Sequence, residues 1–427
     1  MKLNNLLFLF LFFSFQDPFA QNIQYARMIV DTLSSPYYQG RGYVLEGDKK
    51  AAKFLETEFK NKGIIPFQND QSIDSYYQYF NLSVNTFPYL IELAIDNKEL
   101  TPGIDFLVSP SSGSCSGKFK IKWFNRTIIS DKKKFKKFQK SKFKNHAVFI
   151  ERSGVENEME SAVFKLAEVN LIGSSLICSV TNDKLTWAQE NKTLHYPVIT
   201  IVKKAIPFQA KKIKINFKNE FQEKYQSQNI MGYIQGTQYP DSFIVLSAHY
   251  DHLGRMGQVY FPGANDNASG IAMMLDFANY YSEHPMKYSI AFMALGGEEC
   301  GLVGSKYYTE NPLFPLGKIK FLINLDLMGN GEKGITVVNG SFFENYFEKL
   351  KEINSNKNYL ENIYSRGKAQ NSDHYYFTEK GVKSFFIYTH GGTGNYHDIF
   401  DKPETLTFAE YDDIYNLLVD FIDLLNG

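Results

Sequence analysis

Cysteine is scarce in this chain: three residues, Cys115, Cys178 and Cys300, among 427, too few for a disulfide framework. Cys115 and Cys178 fall in one segment and could pair in an oxidising compartment, a point that spacing leaves open; Cys300 reads as a small buried filler at a helix start. Neither sign of charge prevails. With 46 basic and 46 acidic residues the formal net charge is zero, which argues against a general polyanion or nucleic-acid binder. Beyond the first twenty residues no apolar run is long enough to cross a bilayer, so stable membrane insertion is not expected. Internal repeats and low-complexity linkers do not stand out. The 44% hydrophobic and 22% charged content is near globular averages and excludes wholesale disorder. The length suits one large α/β domain plus an accessory one.

What is present begins with Lys2, an almost purely apolar run from Leu6 to Phe15, polar Gln16 and Asp17, and a small residue at Ala20. That is the pattern of a secretory signal peptide over 1–20, with cleavage after Ala20, and it predicts an exported protein. Helices follow at Ile23 to Leu33 and about Gly47 to Lys62, with the turn S-S-P-Y-Y-Q-G-R-G between them and Gly63 as a stop. From residue 76 to 225 the texture changes to short apolar runs broken by turns, with one helical stretch around Met159 to Val169, which reads as a mostly β insert. It carries no cluster of metal donors. Within it, Lys132 to Lys144 holds eight lysines interleaved with Phe135, Phe138 and Phe143; the reading favoured over an anionic docking patch is a solvated helix or strand edge. From Asn229 onward strands alternate with helices, so residues 21–75 and 226–427 are expected to form an α/β domain with a mixed, centrally parallel sheet flanked by helices.

The chemistry sits at the ends of those strands. S-A-H-Y-D-H-L-G places His249, Asp251 and His252 after the apolar run Phe243 to Leu246, and G-A-N-D-N-A-S-G places Asp266 before a helix. A-L-G-G-E-E-C-G-L-V-G-S puts Glu298 and Glu299 after Tyr288 to Leu295. I-N-L-D-L-M-G puts Asp326 after Ile319 to Leu325, and G-T-G-N-Y-H-D puts Tyr396 and His397 in a glycine-rich loop. Strand ends of open α/β sheets are where ligands bind, and imidazoles with carboxylates are zinc donors. Two close zinc ions need one bridging carboxylate and roughly two further ligands each. Asp266 is the natural bridge, His249 and Asp326 complete one site, and Glu299 and His397 the other. Glu298 is the expected general base. Asp251 can accept the other ring N–H of His249 or brace a neighbour. Tyr396 can donate to a developing oxyanion, or it is a buried tyrosine packing in its loop. Asp373 and His374 in N-S-D-H-Y-Y-F are accounted for by a helix N-cap at Ser372 or Asp373. His252 has no assigned role, and His146, His195, His284 and His390 match no pattern.

Taken together and in this order, A-H-Y-D-H-L-G, G-A-N-D-N-A-S-G, G-E-E-C-G-L-V-G-S, N-L-D-L-M-G and Y-H-D resemble the di-zinc exopeptidases of clan MH, specifically the bacterial leucyl-type aminopeptidases. The resemblance runs over roughly Asn229 to Leu425 and more loosely over the N-terminal helices and their G-R-G turn. The insert is similar to a protease-associated domain, which is thought to border substrate access. The resemblance implies zinc ligands at His249, Asp266, Glu299, Asp326 and His397, Glu298 as base, Asp251 supporting His249, and peptide substrates shortened from the N-terminus, with acidic side chains near the metals holding the free amino group. Glutaminyl cyclases resemble this family around a single zinc, though C-G-L-V-G-S-K-Y-Y follows the aminopeptidase pattern without an insertion. Carboxypeptidases and dipeptidases of the wider clan need cationic groups that the chain does not evidently supply. A binding protein of this fold that has lost its metal is the reading from another class, and oligomeric state is left open.

Overall fold

The computed structural model describes residues 23–70, 73–152 and 158–427; the segment read as a signal peptide lies outside them. Nine strands of the described residues form the larger sheet: β1 (Ile65–Pro66), β2 (Tyr77–Thr86), β3 (Glu220–Ile234), β4 (Tyr239–His249), β5 (Tyr288–Leu295), β6 (Ile319–Asp326), β7 (Ile335–Val338), β8 (Ile363–Arg366) and β9 (Ser384–Thr389). Their order is β1-β3-β5-β4-β6-β9-β7-β8, with β2 also pairing β3. The central four, β5, β4, β6 and β9, run parallel, while β3 and β7 join antiparallel. The expected mixed, centrally parallel sheet is therefore present. Parallel strands covered on both faces need apolar side chains at successive positions, which is why Phe243–Ala248 and Leu322–Leu325 are continuous buried runs.

Helices cover both faces. Helix Ile23–Leu33 buries Ala26, Ile29, Val30 and Leu33, the one-sided spacing of an amphipathic helix, against helix Gly270–Glu283. Helix Gly47–Asn61 buries Ala51, Ala52, Leu55 and Phe59 and stops at Gly63, whose φ of 67° suits a residue without a Cβ. Helix Tyr411–Asn426 joins the same core. The opposite face is covered by residues of helices Val303–Glu310 and His374–Glu379, including Tyr308 and Phe377.

The chain leaves the larger sheet along β2 and returns along β3, an antiparallel ribbon. Between them lies an eight-stranded sheet in the order 98–99, 92–95, 212–217, 115–125, 146–151, 176–181, 198–202, 106–108. Cys115 and Cys178 are buried in its core as free thiols. The lysine-rich stretch forms helix Lys132–Gln139, capped by Asp131, with Phe138 and Phe143 buried and its lysines exposed, the solvated helix that was favoured. Leu253, Met256 and Phe261, which lie between His249 and Asp266 in sequence, pack into the same core as Phe87, Phe106 and Trp187.

Candidate metal centre

Strand register brings the donors together. His249 ends β4 opposite Leu295 of β5, and the turn after Leu295 delivers Glu298 and Glu299. Asp326 ends β6, Asp266 occupies the turn before helix Gly270–Glu283, and His397 follows β9 at φ 52°.

Two groups of donors meet at Asp266, one on each carboxylate oxygen. His249 Nε2 lies 3.3 Å from Asp266 Oδ1 and 3.4 Å from Asp326 Oδ2. His397 Nε2 lies 3.1 Å from Asp266 Oδ2 and 3.3 Å from Glu299 Oε2. Donors about 2.0–2.1 Å from a tetrahedral ion lie about 3.3–3.4 Å apart, so these pairwise separations fit zinc; His249, Asp266 and Asp326 converge as one mutually close set, and the second such set among the described residues is His252, Asp266 and Glu299, with His397 beside it. Two further observations favour a cation. Asp326 Oδ1 is buried with no hydrogen-bond partner, and Asp251, Asp266, Glu298, Glu299, Asp326 and Asp373 crowd one place, a cost that positive charge would offset.

The protonation pattern follows from that crowding. Burial alone would depress His249, but Glu298, Asp326 and Asp266 hold it well above the usual imidazole range; a cation taking this position must displace that proton. Burial would raise Asp266, yet His249, His252 and His397 hold it well below the carboxylate range. Burial, with Glu299, Asp373 and Asp326 nearby, pushes Glu298 well up against the opposing effect of His249.

The supporting groups differ in part from expectation. His249 Nδ1 faces the main-chain oxygen of Asp251 at 3.1 Å, and the Asp251 carboxylate stands 4.0 Å away. That carboxylate instead accepts from Glu298 N at 3.1 Å, Glu299 N at 3.4 Å and Tyr43 Oη at 3.2 Å. Asp251 thus supports His249 through its backbone and braces the glutamate turn with its side chain. Tyr396 is not buried: it is 46% exposed and stacks on the His397 ring at 3.9 Å. Neither Ser372 nor Asp373 caps the helix that follows. Asp373 makes no capping bond and is buried with both carboxylate oxygens unpartnered, while Ser372 Oγ accepts from Asn324 Nδ2 at 2.8 Å.

Several residues to which the sequence assigns no role join the site. His252 Nδ1 lies 2.8 Å from Glu299 Oε1, which leaves Oε2 for the second donor group. Asp401 accepts from Asn265 N at 2.8 Å and Asp266 N at 3.0 Å. Asn267 ties the Asp266 turn to β6 by donating to Leu325 O at 2.9 Å. Arg41, fully buried, sends five bonds to main-chain oxygens of Tyr250, Leu33, Pro262, Gly263 and Asp266. Its neighbours in Q-G-R-G allow that approach: a Cβ on Gly40 would stand 2.3 Å from Phe261 O, and one on Gly42 2.4 Å from Gly254 Cα.

The fold is zinc exopeptidase-like. A zinc aminopeptidase from Bacillus subtilis superposes with a TM-score of 0.68 over 95% of both chains at 20% identity, a likeness that shows the fold. Residues 229–422 match the model of Peptidase family M28, so the family resemblance read from the motifs holds over the segment that carries all five donor residues. Aminopeptidase YwaD of Bacillus subtilis is 30% identical over 187 residues, 42% of this chain and 39% of that protein. A probable zinc metalloprotease of Pyrenophora tritici-repentis is 32% identical over 106 residues, 24% of each chain. The matched segment thus spans well under half of the curated relatives.

Proposed function

We propose that the protein is a zinc-dependent aminopeptidase that holds two zinc ions per chain and removes N-terminal residues from peptides. The observation that carries this reading is the division of Asp266, with Oδ1 facing His249 and Oδ2 facing His397, as a bridging carboxylate requires. The family match over residues 229–422 and the names of the relatives support it.

His249, Asp266 and Asp326 would hold one zinc, and Asp266, Glu299 and His397 the other. Zinc bound there supplies Lewis acidity and brings the pKa of water down toward about 7. Glu298 takes up the proton at its carboxylate and passes it to the leaving amine nitrogen; burial among like charges raises its proton affinity, as a group that must hold a proton near neutrality requires. Asp251 fixes the Glu298–Glu299 turn from below. Tyr396, whose ring stacks on His397, is the donor for the negative charge that develops on the scissile carbonyl oxygen. The N-terminal apolar run supports export of the mature chain, and no helix among the described residues is long and apolar enough to cross a membrane.

The test is an assay of the purified mature chain on a panel of aminoacyl chromogenic substrates beside an N-terminal glutaminyl peptide, with and without chelator, and with zinc quantified on the same sample. Release of N-terminal residues, abolished by chelation and accompanied by about two zinc per chain, is expected. Pyroglutamate formation with about one zinc would make the protein a cyclase, and absence of both turnover and zinc would make it a binding protein.

A further inference from the structure

The imidazole of His397 has two sides, and they belong to different parts of the chain. Nε2 faces Asp266 and Glu299, whereas Nδ1 lies 3.0 Å from the main-chain oxygen of Trp187, a residue of the insert. The pairing is reciprocal, because Trp187 N donates to His397 O at 2.8 Å. A metal-binding imidazole generally gives its second N–H to an acceptor, which fixes both tautomer and ring plane. With hydrogen on Nδ1, directed at Trp187 O, the Nε2 lone pair is left toward Asp266 and Glu299.

The Trp187 carbonyl is itself held in place. The indole Nε1 donates to Val108 O at 2.7 Å, and the ring stacks on Phe261 at 4.9 Å with an interplanar angle of 13°. Phe261 belongs to the loop that leads into Asp266. On the other side, Lys184 donates to Gly394 O at 2.7 Å and pairs with Asp398, so a hydrogen bond before His397 and a salt bridge after it fasten the insert to that loop. Gln189 adds a bond to Leu253 O. Residues 184–189 therefore touch both segments that bring Asp266 and His397 to the centre.

We infer that the insert is a working part of the metal centre: Trp187, through its main-chain oxygen, is a positioning residue for His397, and the Lys184–Asp398 pair latches that arrangement. The inference rests on the two-zinc reading above. It assigns the insert a role beyond bordering access, since displacing residues 184–189 weakens zinc at the Asp266–Glu299–His397 position and spares the Asp266–His249–Asp326 position.

The experiment titrates zinc into metal-stripped full chain against a competing chelator of known affinity, for the parent and for Trp187→Ala, Trp187→Phe and Lys184→Met, with folding checked by circular dichroism. Trp187→Ala is expected to weaken one of two sites by about 10–100-fold and leave the other unchanged. Trp187→Phe, which keeps a ring on Phe261, recovers most of that loss. Lys184→Met, a change at a half-exposed side chain, weakens the same single site and serves where Trp187→Ala does not fold. Equal weakening of both sites, or unaltered affinity at both in a folded Lys184→Met, would overturn the inference while leaving the two-zinc reading intact. A parent chain that binds no zinc would overturn both.

Discussion

Arg41 holds Asp266 by its main chain: the guanidinium donates to Asp266 O at 3.0 Å and leaves the carboxylate to the histidines. The same side chain reaches Tyr250 O, next to His249, at 2.8 Å, so one buried cation fixes the spacing of two donor-bearing segments.

Arg41→Met keeps most of the side-chain volume and removes all five bonds; Gly263 O keeps its bond from Ala268 N, and each buried carbonyl left without a partner costs about 1–3 kcal/mol where water cannot reach it. The metal-free variant is expected to lose at least about 3 kcal/mol of unfolding free energy. Urea unfolding of the stripped protein measures this, and a midpoint equal to that of the parent would show that the clamp adds nothing.

Glu298→Gln separates proton transfer from metal binding. The amide cannot accept the proton but keeps the shape of the turn, whose braces are the Glu298 and Glu299 N–H groups on Asp251. Turnover is expected to fall by about 10²–10⁴-fold with zinc content unchanged. Activity at the parental level would remove the base assignment.

Tyr396→Phe keeps the ring that stacks on His397 and deletes only the hydroxyl. If that hydroxyl stabilises developing charge, kcat drops by about 10²-fold while KM and zinc content hold. A kcat matching the parent would reduce Tyr396 to a packing role.

Asp276 offers a pH signature away from the donors. It is buried in helix Gly270–Glu283, accepts from Tyr411 Oη at 3.0 Å, and is pushed by burial from 3.8 up to about 7. A raised carboxyl means that the fold prefers the protonated form. Its stabilising contribution is therefore full below about pH 4 and is lost as pH rises through about 7. Asp276→Asn mimics the protonated state, so its stability relative to the parent should improve from pH 4 to pH 8 by about 2–4 kcal/mol. Unfolding curves across that range test the sign, and a pH-independent difference would refute it.

Much of the centre could be read from the sequence because each donor follows a local pattern. His249 and Asp326 close apolar runs, Glu298 and Glu299 follow one, and Asp266 opens a helix. Helix Ile23–Leu33 and strand Tyr288–Leu295 were likewise expected at the bounds observed. The groups that hold those donors obey no local pattern. Arg41 and Asp401 act on main-chain atoms far along the chain, and Trp187 acts through its own main-chain oxygen; a backbone partner has no sequence signature. Asp373 looked like a cap because a helix follows it, yet its side chain is turned away from that role. Strands β7 and β8 escaped notice because each has four residues, and β8, at the sheet edge with exposed side chains, lacks the apolar alternation that marks a strand.

The β2–β3 ribbon has a consequence for the order in which the molecule forms. Helix Ile23–Leu33 packs on helix Gly270–Glu283, but the whole insert is synthesised between them. Helix Ile23–Leu33 must keep its apolar face uncovered until that partner emerges, and contacts of such sequence separation are slow to close. The insert can assemble most of its own sheet meanwhile, and the larger sheet is completed only when β4 and the strands after it arrive. A ribosome-stalled or truncated chain ending before β4 would accordingly show a structured middle and a protease-sensitive helix Ile23–Leu33.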